Sequence, residues 1–309
     1  MTLTELKYIV AVAREKHFGR AAEACFVSQP TLSVAVKKLE DELDVKLFER
    51  GANEVSVTPL GEQIVRQAQE VIEQAAAIRE IAKRGKDPLA GPLKLGIIYT
   101  IGPYLLPDLV RNAIAMSPQM PLVLHENFTV KLLEMLRTGE LDCAIMAEPF
   151  PDTGLAVAPL YDEPFVIAVP KNHALAKRKS ISAEELKLET MLLLGTGHCF
   201  RDHVLEVCPE FARFASNAEG IRKSFEGSSL ETIKHMVASG MGVTVVPRLS
   251  VQPELQPAVA LLKHIPFTAP APTRRVVLAW RRTFTRYEAI AALRNAVYAC
   301  GLKGVERLS

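Results

Sequence analysis

The sequence predicts an α/β protein with an N-terminal winged helix-turn-helix and a long linker helix, followed by a larger effector region. Three observations carry this reading. Apolar residues recur at helical spacing through residues 3–43, with turn signals between the runs. Between residues 64 and 78 every seventh position is Ile or Val. From residue 93 onward, short apolar runs of strand length alternate with amphipathic segments of helix length.

Composition sets the class before any element does. At 309 residues the chain has room for two or three domains, and 49% hydrophobic with 23% charged residues is ordinary for a globular protein. No apolar run reaches the roughly 18 residues of a membrane span and no signal-peptide core opens the chain, so a cytoplasmic protein is expected. Five cysteines, at 25, 143, 199, 208 and 300, fit a reducing compartment in which a disulfide is transient and regulatory. The net charge of +2 excludes a bulk polyanion binder. Nor do Lys and Arg outnumber Asp and Glu in residues 1–90, so contact with a nucleic acid has to rest on placement of cations rather than their excess.

Leu3, Leu6, Ile9, Val10 and Ala13 define a first helix. Phe18 to Cys25, rich in alanine, gives a short second helix that can cross its neighbour closely, followed by a tight turn at Phe26-Val27. Ser28 is a fitting N-cap and Pro30 is tolerated in the first turn; Leu32, Val36, Leu39 and Leu43 continue a third helix. Its outer face would hold Gln29, Thr31, Ser33, Val34 and Lys37. Amides and hydroxyls there suit base edges in a major groove, while Lys37, Lys38 and Arg50 suit phosphates. Residues 47–58 read as a two-stranded wing.

Phe18-Gly19-Arg20-Ala21-Ala22, Ser28-Gln29-Pro30-Thr31-Leu32-Ser33, Leu39-Glu40, Leu47-Phe48-Glu49-Arg50 and Thr58-Pro59-Leu60-Gly61 occur in the order found in the LysR-type transcriptional regulators. The chain resembles that family over its whole length. The resemblance implies a DNA-binding domain at 1–58, with Ser28, Gln29, Pro30, Thr31, Ser33, Lys37 and Arg50 at the DNA, and a linker helix at 59–87. It further implies a regulatory domain at 88–302, similar to periplasmic binding proteins. Subdomain I would hold 88–161 and 268–302, subdomain II 162–267, with a cleft between them and a tail at 303–309.

In the linker, Ile64, Val71 and Ile78 alternate with Ala68, Ala75 and Ala82, the pattern of a self-associating seam. A dimer would present two reading helices to a pseudo-palindromic DNA site. Arg84-Gly85-Lys86-Asp87-Pro88 and Gly91-Pro92 end the helix. Beyond them, Leu93–Tyr99, Leu122–Phe128, Cys143–Ala147, Phe165–Val169 and Met191–Leu194 read as buried strands. Helices are expected near 103–117, 129–139, 182–187, 198–207, 228–240 and 286–300. The alternation predicts a parallel sheet covered on both faces. Ligands of such sheets bind where strands end and helices begin, which selects Thr100, Thr129, His198-Cys199 and Ser228-Ser229. Each is also a potential N-cap. A site built from them has small hydroxyls, a histidine and a thiol, with few aromatic groups to enclose a large effector.

The stretch from Gly195 to Cys208 concentrates reactive side chains at the start of a predicted helix. Cys199 falls in the first turn, where free N–H groups and the helix dipole favour an anion, and His198 and Arg201 flank it. Cys208 is nine positions on, roughly 13 Å of rise in an unbroken helix, whereas a disulfide needs Cα atoms within about 7 Å. Pairing the two would therefore require the segment to unwind, as a redox switch does. The alternatives are a buried structural cysteine and a metal site of His198, Cys199, His203 and Cys208, whose spacing matches no common zinc pattern. No metal or cofactor is expected.

Gly197-His198-Cys199-Phe200-Arg201-Asp202 with Cys208, Thr100 and Thr129 resembles the hydrogen-peroxide-sensing members of the LysR family. That resemblance implies that Cys199 reacts with peroxide and that Cys208 is its disulfide partner. Thr100, Thr129, His198, Arg201 and Asp202 would hold peroxide around it. It also implies a tetramer that contacts RNA polymerase and activates defence genes, not an enzyme. Two other functions fit the residues, a regulator answering a small metabolite and a thiol peroxidase turning over through Cys199. Cys25, Cys143 and Cys300 lie in apolar patterns and read as structural.

Overall fold

Thr2 opens the chain's first helix by a reciprocal cap: its hydroxyl accepts the Glu5 N–H at 3.2 Å, and the Glu5 carboxylate accepts the Thr2 N–H at 2.7 Å. The computed structural model describes residues 1–50, 55–84, 89–151, 154–211, 224–227, 229–251 and 261–308; the side chains of residues 50, 79–84 and 224–226 are outside that description. Two compact units divide the chain, Met1–Asp87 with Thr283–Thr285, and Pro88–Arg282 with Arg286–Ser309.

In the first unit, α1 (Leu3–Glu15), α2 (Phe18–Ala24) and α3 (Gln29–Leu43) close on a core of Leu6, Ile9, Val12, Phe18, Leu32, Val36 and Leu39. Ala21 and Ala22 are buried and let the helices approach. The wing follows as β1 (Phe48–Arg50) antiparallel to β2 (Val55–Val57). Buried Glu40 of α3 fixes it, one carboxylate oxygen accepting the Leu47 and Phe48 N–H groups at 2.7 and 3.2 Å. The linker helix α4 (Pro59–Arg84) starts where the Thr58 hydroxyl accepts the Gly61 N–H.

The apolar stripe of α4 divides along the helix. Ile64, Ala68 and Ile72 pack on the helix-turn-helix core, so the first heptad is spent inside the chain. Val71 and Ile78, 39% and 69% exposed, carry the apolar stripe onward. The Ala82 side chain and the break at 85–88 lie outside the described residues.

The second unit contains β3 (Leu93–Ile98), α5 (Gly102–Met116), β4 (Leu122–Asn127), α6 (Thr129–Arg137) and β5 (Cys143–Ala147). β3 runs parallel to both β4 and β5. A 16-residue strand, β6 (Leu155–Pro170), then leads to α7 (Ala183–Leu186), β7 (Met191–Leu194), α8 (Cys199–Val207), β8 (Ser224–Gly227), α9 (Leu230–Ala238), β9 (Thr244–Pro247) and β10 (Leu262–Pro266). The chain returns as β11 (Thr273–Arg281) and ends in α10 (Tyr287–Tyr298) and β12 (Glu306–Arg307).

The sheet is mixed rather than parallel as expected. β11 lies between β5 and β6 and is antiparallel to both, because it re-enters the sheet from the end at which β6 leaves. Leu155–Pro164 of β6 pairs with β11, whereas Phe165–Pro170 pairs with β9 and β10, also antiparallel. Strands β9, β10 and β11 were missing from the sequence reading, and Phe165–Val169 proves to be the second half of a longer strand. β4 is not a buried strand. It lies at the end of the sheet order, and Val123 and Leu124 are exposed.

Candidate functional site

On the N-terminal unit, the third helix places its side chains as its periodicity dictates. Leu32, Val36 and Leu39 are buried, and Ser28, Gln29, Pro30, Thr31, Val34 and Lys37 are exposed, with Ser33 half-buried. Ser28 Oγ accepts the Thr31 N–H at 3.3 Å and lies 2.8 Å from the Thr31 hydroxyl, so this pair sets the helix start. Lys38 is tied to Glu5 at 3.6 Å. The Arg50 side chain lies outside the described residues.

In the second unit, three strand ends meet. Tyr99 follows β3, Phe128 follows β4 and His198 ends the turn after β7. Their rings stack edge to face, with centroids 5.2 Å apart for Tyr99–Phe128, 5.9 Å for Tyr99–His198 and 4.8 Å for Phe128–His198. Gly197, at φ +97, brings its backbone against Phe128; an added Cβ would lie 3.4 Å from that ring on a backbone that side chains rarely adopt. The triad thus holds the corners carrying Thr100, Thr129 and Cys199 against one another. A cleft of about 340 Å³ opens beside it, lined by Tyr99, Thr100, Tyr104, Glu126, Phe128, His198 and Glu231 among others. The expected scarcity of aromatic groups does not hold, since Tyr99 and Phe128 read in sequence as strand residues and instead cap the strand ends.

The Thr100 and Thr129 hydroxyls are not used as caps. α5 and α6 are capped by Ile101 and Phe128 without a side-chain bond. Ser229 does cap α9, accepting the Thr232 N–H. Thr129 is buried, and its hydroxyl has no hydrogen-bond partner among the described residues. Thr100 instead meets a side chain that the sequence reading passed over. Arg274, buried in β11, donates from Nη1 to the Thr100 hydroxyl at 2.8 Å and from Nη2 to its carbonyl at 3.0 Å. Its Nε donates to Glu163 Oε2 at 2.9 Å, and the other oxygen of Glu163 accepts the Leu249 N–H. The guanidinium also lies 5.2 Å from the centre of the Phe200 ring, directly after Cys199. A signal existed in the sequence, two arginines opening the apolar run Val276–Trp280.

Cys199 is half-exposed at the first position of α8, and Cys208 is buried at its C-cap. Arg201 is buried and donates to the Leu194 carbonyl at 2.9 Å, fastening the helix to β7. Asp202 is exposed. His203 donates from Nε2 to the Glu148 carbonyl at 2.8 Å, and burial lowers its pKa below the usual imidazole range. The Cys208 thiol is pushed up to about 12 by burial, with Glu210 adding to it. Burial also raises Cys143 far above an ordinary thiol, and brings Cys300 to about 11. Cys25 is half-buried and raised as well. Among the described residues no cluster of His, Cys, Asp or Glu could hold a metal ion, and no helix is long and apolar enough to cross a membrane.

Comparison with known proteins places this geometry. The lysR-family bacterial regulatory helix-turn-helix matches residues 3–62, and the LysR substrate binding domain matches residues 86–299. The chain is 38% identical over 294 residues to the DNA-binding transcriptional dual regulator OxyR of Escherichia coli K12, covering 94% of each. It is also 38% identical to the hydrogen peroxide-inducible genes activator of Dickeya chrysanthemi, over 91% of this chain and 90% of that one. Among solved structures, a full-length OxyR variant from Pseudomonas aeruginosa superposes with a TM-score of 0.78 at 52% identity, over 97% of this chain and 96% of the other. A hydrogen-peroxide-bound OxyR mutant from Corynebacterium glutamicum gives 0.60 at 32% identity, over 96% and 91%. The chain belongs to the LysR family of bacterial regulatory helix-turn-helix proteins.

Proposed function

We propose that this protein is a transcriptional regulator that senses hydrogen peroxide through Cys199 and transmits its oxidation to DNA. The observation that carries the reading is the meeting of three strand ends at Tyr99, Phe128 and His198, with the buried Thr129 hydroxyl next to Phe128. A thiolate at Cys199 attacks one peroxide oxygen, the O–O bond breaks and hydroxide leaves, taking a proton to become water. Sulfur loses two electrons and becomes a sulfenic acid. Thr100, Thr129 and His198 supply hydrogen bonds to the departing oxygen; Thr100 and His198 line the cleft, while Thr129 and Cys199 each directly follow a lining residue, Phe128 and His198. Arg201 holds α8 on its strand and Asp202 is exposed. The Cys208 sulfur then attacks the sulfenic sulfur, a second water leaves and the disulfide closes. Mass spectrometry of peroxide-treated protein tests this: a Cys199–Cys208 disulfide is expected, and unmodified Cys199 would sink the reading.

The protein acts in the cytoplasm on pseudo-palindromic DNA through Gln29, Ser33, Lys37 and Arg50, as a tetramer that contacts RNA polymerase. It does not turn over peroxide as an enzyme; repeated turnover with a reductant would show otherwise. Pairing through the exposed Val71–Ile78 stripe of α4 builds the dimer. Val71→Asp puts a charge in that seam, so full association of the variant in sedimentation would remove it. The 340 Å³ cleft favours a second reading, because it exceeds what peroxide fills. A small-molecule effector would then shift DNA footprints without peroxide.

A further inference from the structure

Phe26 lies in the turn between α2 and α3 and is 96% exposed, the most exposed large apolar side chain among the described residues. Its backbone is left-handed, with φ 57. The turn is a Schellman closure of α2: the Phe26 N–H donates to the Glu23 carbonyl and the Val27 N–H to the Ala22 carbonyl, both at 3.0 Å. Glycine, or less often asparagine, fills this position at least strain. Among the described residues, the other non-glycine positions with positive φ, Lys16 and Asp44, are polar helix ends. An aromatic ring here costs folding free energy through its backbone and gains no burial in return. Strain of this kind points toward function.

We propose that Phe26 is a base-reading contact whose ring covers the 5-methyl group of a thymine in the major groove. The inference rests on the DNA-binding reading of α3. Phe26 stands two residues before Ser28, the N-cap of α3, and is exposed, as Gln29, Thr31 and Lys37 of that helix are. In a helix-turn-helix the first residues of the second helix meet base edges, so the turn that feeds them reaches the same groove. Phosphates call for donors or cations, which a phenyl ring lacks. Within the groove the apolar match is the thymine methyl.

The test uses the full-length protein and a duplex enriched by the wild type from a randomised pool. Affinities of wild type, Phe26→Ala and Phe26→Asn are measured on that duplex and on copies with each thymine in turn replaced by deoxyuridine. Both variants should bind the parent duplex about tenfold more weakly, with the salt dependence unchanged because no phosphate contact is lost. One thymine per half-site should cost the wild type roughly fourfold when its methyl is removed, and should cost the variants nothing. Phe26→Asn should melt no lower than the wild type, since asparagine tolerates the left-handed backbone, which separates a lost contact from a lost fold. Wild-type affinity in both variants, or the same deoxyuridine pattern in all three proteins, overturns the proposal. Weaker transcription with unchanged DNA affinity also overturns it and assigns the ring to a protein partner. If the wild type enriches no duplex, the DNA-binding reading itself falls.

Discussion

Glu163 and Arg274 face each other in full burial, with Oε2 of the carboxylate 2.8 Å from Nη2 of the guanidinium. The pair joins β6, at the point where that strand changes partners, to β11, and through Thr100 it reaches the end of β3. A buried pair of this kind adds little net stability against an apolar replacement, but removing one partner strands the other charge. Glu163→Ala should therefore lower stability by about 3–5 kcal/mol. Glu163→Leu combined with Arg274→Met should recover much of the loss. Urea unfolding measures both, and a small effect of the single change would mean that Arg274 finds another anion.

The third helix offers a separation of effects. Gln29 is exposed at its first position and Ser33 half-buried on the next turn, so Gln29→Ala and Ser33→Ala should relax sequence discrimination, by about 1–3 kcal/mol for a lost bidentate base contact. Lys37→Ala should weaken binding to all sequences alike and reduce the salt slope by about one. Fluorescence anisotropy on matched and mismatched duplexes at several salt concentrations distinguishes the two. Unchanged discrimination in both polar variants would remove this helix as the reader.

Cys208 gives a pH dependence with a definite sign. In the folded chain its thiol is pushed up to about 12 from an ordinary value of 9.0, chiefly by burial. A group raised in this way binds its proton more tightly when folded, so its contribution is complete below the unfolded value and is lost as pH rises from 9.0 toward about 12. Alkylation of Cys208 in the reduced protein should therefore stay slow near pH 8 and accelerate above about pH 9 faster than thiolate formation at an exposed thiol predicts. A rate following that of a free thiol at every pH would mean that Cys208 is open in the resting state.

The local elements were legible in the sequence because each is specified within a few residues. Ser28 and Pro30 mark the start of α3, and the four apolar residues Met191–Leu194 form β7 as read. The sheet's connectivity was not legible in the same way. β11 owes its place between β5 and β6 to partners more than a hundred residues away, and no local pattern states that pairing. The site divides along the same line. Thr100, Thr129 and His198 could be placed after strand ends because strand ends are local features, whereas Arg274 was missed because it comes to Thr100 from a strand that the sequence reading lacked. The linker pattern was ambiguous for a physical reason: a heptad stripe shows an apolar face but not what covers it, and Ile64 and Ala68 satisfy theirs on their own domain.

The proposed switch turns on α8, which runs from Cys199 to Val207 without a break and ends in a bonded cap, the Cys208 N–H donating to the Val204 carbonyl at 2.9 Å. Nine residues of rise keep the sulfurs roughly 13 Å apart along the axis, so a disulfide must unwind about two turns and draw Cys208 out of its buried position. It must also break the Arg201–Leu194 bond that fastens the helix to β7, or stretch the strand end with it. Peroxide should therefore raise protease cleavage and hydrogen exchange within residues 199–210 in the wild type. Cys199→Ser should show neither change and should keep its DNA binding, because Cys199 and α3 lie in separate units. Cys208→Ser should take up one oxygen at Cys199, seen as a mass increase without a disulfide, while its cleavage pattern stays that of the reduced protein. If Cys208→Ser opens the segment as fully as the wild type, oxidation at Cys199 alone drives the change and the disulfide only prolongs it. If the wild type forms the disulfide with no rise in exchange, the helix does not have to unwind and the switching geometry is wrong.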